Sequence, residues 1–389
     1  MYVIYGYGRP LSLDGLANKN EVKHVVLSST GHLGDLILFT PCLRIVRNSF
    51  PSAEISICIA PKRLDVNMVK NCPYIDSCVE HRYDDMSVHR EMVAKLRAKK
   101  PELAIALPTS TLDYKFCSQV KAKYRIGRIM IERFMRLFFA RFWMTHLIPI
   151  GYRPSAKLGV PITHVVPGAT LPLKMLGCDC SDLSLELFLD EPSRKYAAEV
   201  FAHFGEPDIA LHLHQRLFNN GDPNNPIWEY RDLIGLIKQL LNADGAEKKE
   251  RKILITYGPF EAKIADSFRA ALAETTKVCV LDGSQETLAP TEVSDASASI
   301  LFAGNLPFLR WAAMLEHTKL VITPDTGSVH VAAALHKPVI DIFPVTHYAW
   351  NVQSYYPWQT PNTVIKKDTP ERTIPKILDS AQKFLNNQH

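Results

Sequence analysis

The sequence predicts a parallel α/β fold arranged as two domains, and three observations carry that prediction. At 389 residues the chain exceeds what a single hydrophobic core usually organises. Short apolar runs rich in β-branched residues alternate with longer amphipathic stretches, the pattern of parallel α/β units. These runs also fall into two groups, three before residue 150 and six after residue 205.

The strand candidates, in order, are "KHVVLSS", "AEISICIA", "ELAIALP", "DIALHLH", "KILITYG", "KVCVLDG", "KLVITPD", "PVIDIFP" and "NTVIKKD". Between the groups lies a proline- and glycine-punctuated stretch, followed by a predicted helix, "EPSRKYAAEVFAHF", and the domain boundary is expected within 185–207. "NADGAEKKERK" and "DGSQETLAPTEVSDASAS" read as polar surface loops. The tail places Ile374, Ile377, Leu378, Ala381 and Phe384 at helical spacing, which predicts a packed terminal helix.

Composition is that of a globular protein, with 47% hydrophobic and 22% charged residues. No apolar run reaches the ~18 residues that a membrane-spanning helix needs. The N-terminal residues lack the basic-then-apolar order of a secretion signal, so the protein is expected in the cytoplasm. Eight scattered cysteines show no paired clusters at zinc-ligand spacing and read as reduced thiols.

Two motifs carry candidate chemistry. In "SSTGHLGDLILFTP" a strand runs into a glycine-containing turn, with Asp35 in the first turn of the following helix. A negative charge there is favoured by the helix dipole by about 0.3 to 1 kcal/mol. Asp35 is therefore either a helix-start charge, a neighbour of a phosphate loop or a catalytic base. Thr30, Gly31 and Gly34 form a loop over which a ligand can approach the backbone closely. The spacing matches neither a P-loop nor G-x-G-x-x-G. Pro41 lacks a backbone donor and should kink the helix, unless the helix begins later along the chain.

The second motif, "VITPDTGSVHVAAALHKPVIDIF", reads as strand, turn and helix, and its helix start is a ready anion site. Asp325 and Thr326 can cap it, and Gly327 lets a phosphate reach the backbone. His330 one turn along either donates to the same anion or is a structural histidine.

Together, "TGHLGDLILFTPCLR" and "DTGSVHVAAALHKPVIDIF", about 290 residues apart, resemble glycosyltransferase family 9, the lipopolysaccharide heptosyltransferases that use ADP-heptose. The resemblance implies a GT-B architecture, two Rossmann-like domains facing across a cleft. It implies an acceptor-binding domain over 1–190, a nucleotide-sugar domain over 191–368 and a C-terminal helix over 369–389. By position Asp35 matches the family's catalytic aspartate. Asp325, Thr326, Gly327, Ser328 and His330 match its phosphate-binding turn, and Glu261 its acidic residue near the ribose.

Where the family commonly has a lysine two residues before a tryptophan, Pro226 stands here, leaving Arg216 as the candidate phosphate partner; Pro344 replaces a glycine in a later turn. The implied reaction is inverting, metal-independent transfer, with ADP-heptose as substrate and no cofactor. The expected partners are a nucleotide sugar and an anionic glycolipid or glycan acceptor. Another nucleotide sugar, a protein acceptor, or a non-catalytic nucleotide- or glycan-binding relative are the alternatives.

Residues 115–143 hold eight basic residues and one acid, with aromatics between. If helical, this segment presents Arg133, Arg136 and Arg141 beside Phe134, Phe138, Phe139 and Phe142, and Arg125, Arg128, Arg133 and Arg136 are the candidates for an acceptor or inner-membrane surface. The competing reading is a core helix whose arginines snorkel to solvent. No nucleic-acid-binding motif accompanies the charge, and no nucleic-acid partner is expected.

Overall fold

A computed structural model describes residues 3–4, 19–60, 67–82, 84–130, 140–151, 160–161, 163–218, 226–242, 251–283, 295–346 and 348–386. The chain divides into two units, one of residues 1–188 with 353–355 and one of residues 189–352 with 356–389.

The first unit is built on a wholly parallel sheet. Its strands are β1 (Val3–Ile4), β2 (His24–Ser29), β3 (Glu54–Ile59), β4 (Ser77–Glu80), β5 (Leu103–Ala106), β6 (Tyr124–Met130), β7 (His146–Gly151) and β8 (Val160–Pro161). They lie in the order β1-β7-β6-β5-β2-β3-β4, with β8 beside β7. In β2, "HVVLSS", every residue after His24 is buried, as expected of a strand covered on both faces. Its helices are α1 (Leu33–Leu38), α2 (Thr40–Ser49), α3 (Asn67–Lys70), α4 (Met86–Ala98), α5 (Thr111–Gln119) and α6 (Val165–Met175). Pro41 begins a helix rather than bending one: α1 stops at Leu38, and Pro41 occupies the first turn of α2, where no N–H is needed.

The second unit repeats the design. Strands β9 (Ile209–Leu213), β10 (Ile253–Tyr257), β11 (Val278–Asp282), β12 (Ile300–Gly304), β13 (Leu320–Pro324), β14 (Val339–Phe343) and β15 (Asn362–Lys366) form a parallel sheet ordered β11-β12-β10-β9-β13-β14-β15. Helices α7 (Glu191–Phe204), α8 (Tyr230–Asn242), α9 (Ala262–Ala273), α10 (Phe308–Glu316), α11 (Gly327–Ala334), α12 (Tyr348–Tyr355, whose last three residues belong to the first unit) and α13 (Pro370–Asn386) accompany it. The core on one face joins Ile209, Leu211, Ile253, Ile255, Ile340 and Ile342 to α8, α9 and α13. Ile377 and Ala381 of α13 are buried in it, and Ile374, Leu378 and Phe384 pack against it, the stripe expected from the tail.

In each sheet the chain reverses direction beside its first long strand. β2 has β3 on one side and β5 on the other; β9 has β10 on one side and β13 on the other. At such a switch point the loops leaving the two strands diverge and open a crevice at their carboxyl ends. Both sequence motifs start there.

The basic segment is not one helix. Helix α5 ends at Gln119, and "YRIGRIM" is strand β6, consistent with its β-branched content. Residues 131–139, and with them Arg133 and Arg136, lie outside the described residues, as does most of the two polar loops, 243–250 and 284–294. No described helix is long and apolar enough to cross a membrane.

Candidate active site

In the first unit, β2 delivers Thr30 and Gly31 to the switch point, and α1 starts at once. Asp35 is the third residue of α1 and half-buried. Its Oδ2 accepts the His32 backbone N–H at 2.9 Å, so the helix-start role is real. A Cβ on Gly31 would lie 2.7 Å from that oxygen and 2.9 Å from the Asp35 Cβ. Only glycine lets the carboxylate fold back over the turn. Gly34 is buried inside the same short helix.

The turn is anchored by a residue that the motif did not include. Asp113 of α5 is fully buried and takes three hydrogen bonds from the end of β2: Ser28 Oγ at 2.6 Å, Thr30 N at 3.0 Å and Thr30 Oγ1 at 2.6 Å. Burial still holds its carboxyl above the usual range, against the pull of these donors. Thr30 thus serves as a structural tie. "STLD", with Ser110 capping α5 through the Leu112 N–H, was the legible signal: Ser/Thr followed three residues later by an acid.

Arg125 and Arg128 do not form an outward basic face. On a strand, residues three apart point to opposite faces. Arg125 is half-buried and donates to the carbonyls of Trp143 at 2.7 Å and Ala122 at 2.8 Å. Arg128 is 2% exposed and donates to the Leu107 carbonyl at the end of β5. The expected solvent-facing arginines are therefore corrected to one half-buried and one buried side chain.

In the second unit, the two loops of the switch point meet. After β9, His214 caps a 3-10 turn over Gln215–Leu217 by accepting the Arg216 N–H at 3.1 Å. Burial first, then the Arg216 charge, push that imidazole down to about 4, so it stands neutral. Arg216 donates to the Asp325 carbonyl and lies 3.6 Å from its Oδ2, joining the ends of β9 and β13. Burial raises the Asp325 carboxyl and Arg216 opposes this.

Thr326 is the extended residue before α11, whose first amides, at Gly327 and Ser328, have no partner within the helix. The hydroxyls of Thr323, Thr326 and Ser328 are linked to one another. His330 is buried one turn along, 5% exposed. Glu261, 4% exposed, accepts the Gln215 N–H at 3.4 Å, so it borders the turn that carries Arg216. Burial raises its carboxyl also.

Arg216, Asp325, Thr326, Gly327, Ser328 and Glu261 are thus gathered at the carboxyl ends of β9, β10 and β13. Such an arrangement offers helix amides and a guanidinium to an anion, and carboxylates to hydroxyl groups.

Residues 268–383 match the family model described as glycosyltransferase family 9 (heptosyltransferase). Lipopolysaccharide heptosyltransferase 3 of Escherichia coli is 23% identical over 330 residues, spanning 84% of this chain and 82% of that protein. The chain is a glycosyltransferase, similar over residues 268–383 to family 9.

Among solved structures, the family 9 glycosyl transferase of Veillonella parvula superposes with a TM-score of 0.70 at 18% identity, covering 95% of this chain and 99% of that one. The ADP-heptose lipopolysaccharide heptosyltransferase II of Escherichia coli gives 0.64 at 16%, covering 94% and 99%. At these identities the superpositions establish that the transferase shares their fold.

The span matched to the family holds the Asp325–His330 turn. It also holds two polar residues of the transferase that the motifs did not single out. Asp341 lies fully buried within β14. Lys367, just after β15, is 2% exposed, with its Nζ 3.3 Å from the Arg216 carbonyl. An acid inside the otherwise apolar "VIDIF" was the available signal for Asp341, since a buried parallel strand normally reads as an unbroken hydrophobic run. "IKKD" at the end of a strand offered no comparable signal for Lys367.

Proposed function

We propose that the transferase moves heptose from ADP-heptose to a hydroxyl of the lipopolysaccharide core or a related anionic glycan, with inversion and without a metal ion or cofactor. The observation that carries this reading is the Arg216–Asp325 junction at the second switch point, with the amides of α11 beside it. It has the character of a diphosphate site, and ADP-heptose is named for one of the solved relatives.

Asp35 is assigned the role of general base. It takes the proton of the acceptor hydroxyl as that oxygen bonds to the anomeric carbon, and the bond from that carbon to ADP breaks on the opposite face. The leaving diphosphate is stabilised by the α11 amides and Arg216, groups that need no reorganisation during the reaction. Glu261 is assigned to the ribose hydroxyls, and His330 to the same anion as the turn.

The test is turnover with ADP-heptose and candidate glycan acceptors, followed by mass spectrometry, with and without a chelator. Asp35→Asn is expected to lower kcat by about 10²- to 10⁴-fold while ADP affinity stays near wild type. A variant that turns over normally removes Asp35 from the mechanism, and activity abolished by the chelator removes metal independence.

Pro226 and Pro344 favour a second reading, a different nucleotide sugar as donor. Turnover with such a sugar and none with ADP-heptose would establish it. On the acceptor side, we assign the basic-aromatic patch of Lys115, Arg141, Phe142 and Trp143 to peripheral contact with an anionic membrane. Arg141 stacks on Phe142 at 4.9 Å, Lys115 lies over Trp143 at 5.3 Å, and Phe142 is 52% exposed.

A further inference from the structure

Asp341 lies in the middle of β14 between Ile340 and Ile342, which face the core shared with α8, α9 and α13. Strand alternation turns its side chain to the opposite face. There it is fully buried, and both carboxylate oxygens lack a hydrogen-bond partner among the described residues. Its ladder partner on β13 is Thr323, whose hydroxyl joins that of Ser328 at the start of α11. The acid thus sits beneath the Asp325–Ser328 turn.

The charged and titratable groups around it come from several elements. Asp325 at the end of β13 and Arg216 after β9 act on it directly, and Asp341 in turn acts on Tyr348 of α12. On β15 its ladder partner is Val364, and Lys366 lies over the Tyr348 ring. Helix α11 contributes the buried His330. One guanidinium therefore serves two acids. A carboxylate sealed from water with no donor sheds its charge by binding a proton. Burial holds Asp341 well above the usual carboxylate range, Asp325 pushes the same way and Arg216 opposes them.

We propose that Asp341 is a proton-holding positioning residue of the donor site, neutral whenever a nucleotide diphosphate is bound at the Asp325–Ser328 turn. This rests on the assignment of that turn as the donor site. As pH rises, Asp341 loses its proton to solvent and leaves a second negative charge beside Asp325. Diphosphate binding then requires that a proton be taken back from the buffer. Affinity for the diphosphate is full while Asp341 is protonated and declines as pH rises through its titration.

The experiment is calorimetric titration of ADP into the full chain, from neutral pH upward, where the phosphates of ADP are already ionised. Each titration is run in two buffers of different protonation enthalpy. Wild type is expected to lose up to about tenfold in affinity per pH unit on the alkaline limb, with proton uptake on binding. Asp341→Asn is expected to lack both the limb and the uptake. Asp341→Ser, also uncharged, gives the same answer if the asparagine variant does not fold.

Lys367 is the other group that titrates on this side, since burial pushes its ammonium down to about 8. A limb that persists in Asp341→Asn but vanishes in Lys367→Arg overturns the proposal, as does a profile unchanged by Asp341→Asn. ADP binding with no limb in wild type overturns the proposal alone. No ADP binding at any pH overturns the donor-site assignment itself, and the proposal with it.

Discussion

Gly31 shows how closely the first site depends on a single hydrogen atom. Any Cβ there would meet the Asp35 carboxylate at 2.7 Å and the Asp35 Cβ at 2.9 Å, both well inside contact distance. Gly31→Ala is therefore expected to displace the carboxylate. A misplacement of about 1 Å costs on the order of 10²-fold in rate, against only about 1–3 kcal/mol of stability. Turnover measured beside a urea melt separates the two; wild-type kcat in a folded alanine variant would show that the carboxylate position is not critical. This glycine, Asp35 and the 325–330 turn were legible because loop geometry and helix starts leave local signatures. Asp341 and Lys367 were harder to read, since their meaning depends on which strands lie beside them. A sequence does not display lateral neighbours.

At the scale of elements, helix α5 does more than cover the sheet. Through Asp113 it holds the last residues of β2, so the turn that carries Asp35 is braced from the neighbouring strand-helix unit. Asp113→Ala leaves two hydroxyls and an amide of β2 unsatisfied in the interior, an expected loss of roughly 2 to 4 kcal/mol. Denaturant midpoints check this; a loss below 1 kcal/mol would mean that water or rearranged donors replace the carboxylate. All nine strands expected from apolar runs are present, because buried parallel strands advertise themselves by composition. The additional strands β1, β4, β6, β7, β8 and β12 escaped. In β6 two arginines interrupt the apolar pattern, and the surrounding positive charge read as a surface helix. The arginines are accommodated by main-chain carbonyls, a kind of partner that has no sequence signature.

Over the whole molecule, the same Rossmann-like plan occurs twice, and each copy places its candidate chemistry at its own switch point. Loops can diverge at such positions without disturbing the sheet, which explains how one architecture holds a carboxylate in one unit and an anion-type turn in the other. The net charge of +5 and the exposed Phe142 beside Arg141 belong to this scale too. Co-sedimentation with vesicles containing anionic lipid is expected to exceed that with neutral vesicles and to fall with salt. Phe142→Ser should weaken it severalfold, as the loss of one buried aromatic ring implies. Equal partition to both vesicle types would remove the membrane role.

Trp228 is the most buried of the four tryptophans in the second unit. Its indole N–H is tied to the Asp368 carbonyl at 2.9 Å, it is 1% exposed, and the Lys367 ammonium stands 5.9 Å from its ring. A cation within about 6 Å of an indole is attracted by the ring face, and burial pushes this ammonium down to about 8. Because Lys367 also donates to the Arg216 carbonyl, its charge bears on both the buried tryptophan and the loop that meets Asp325.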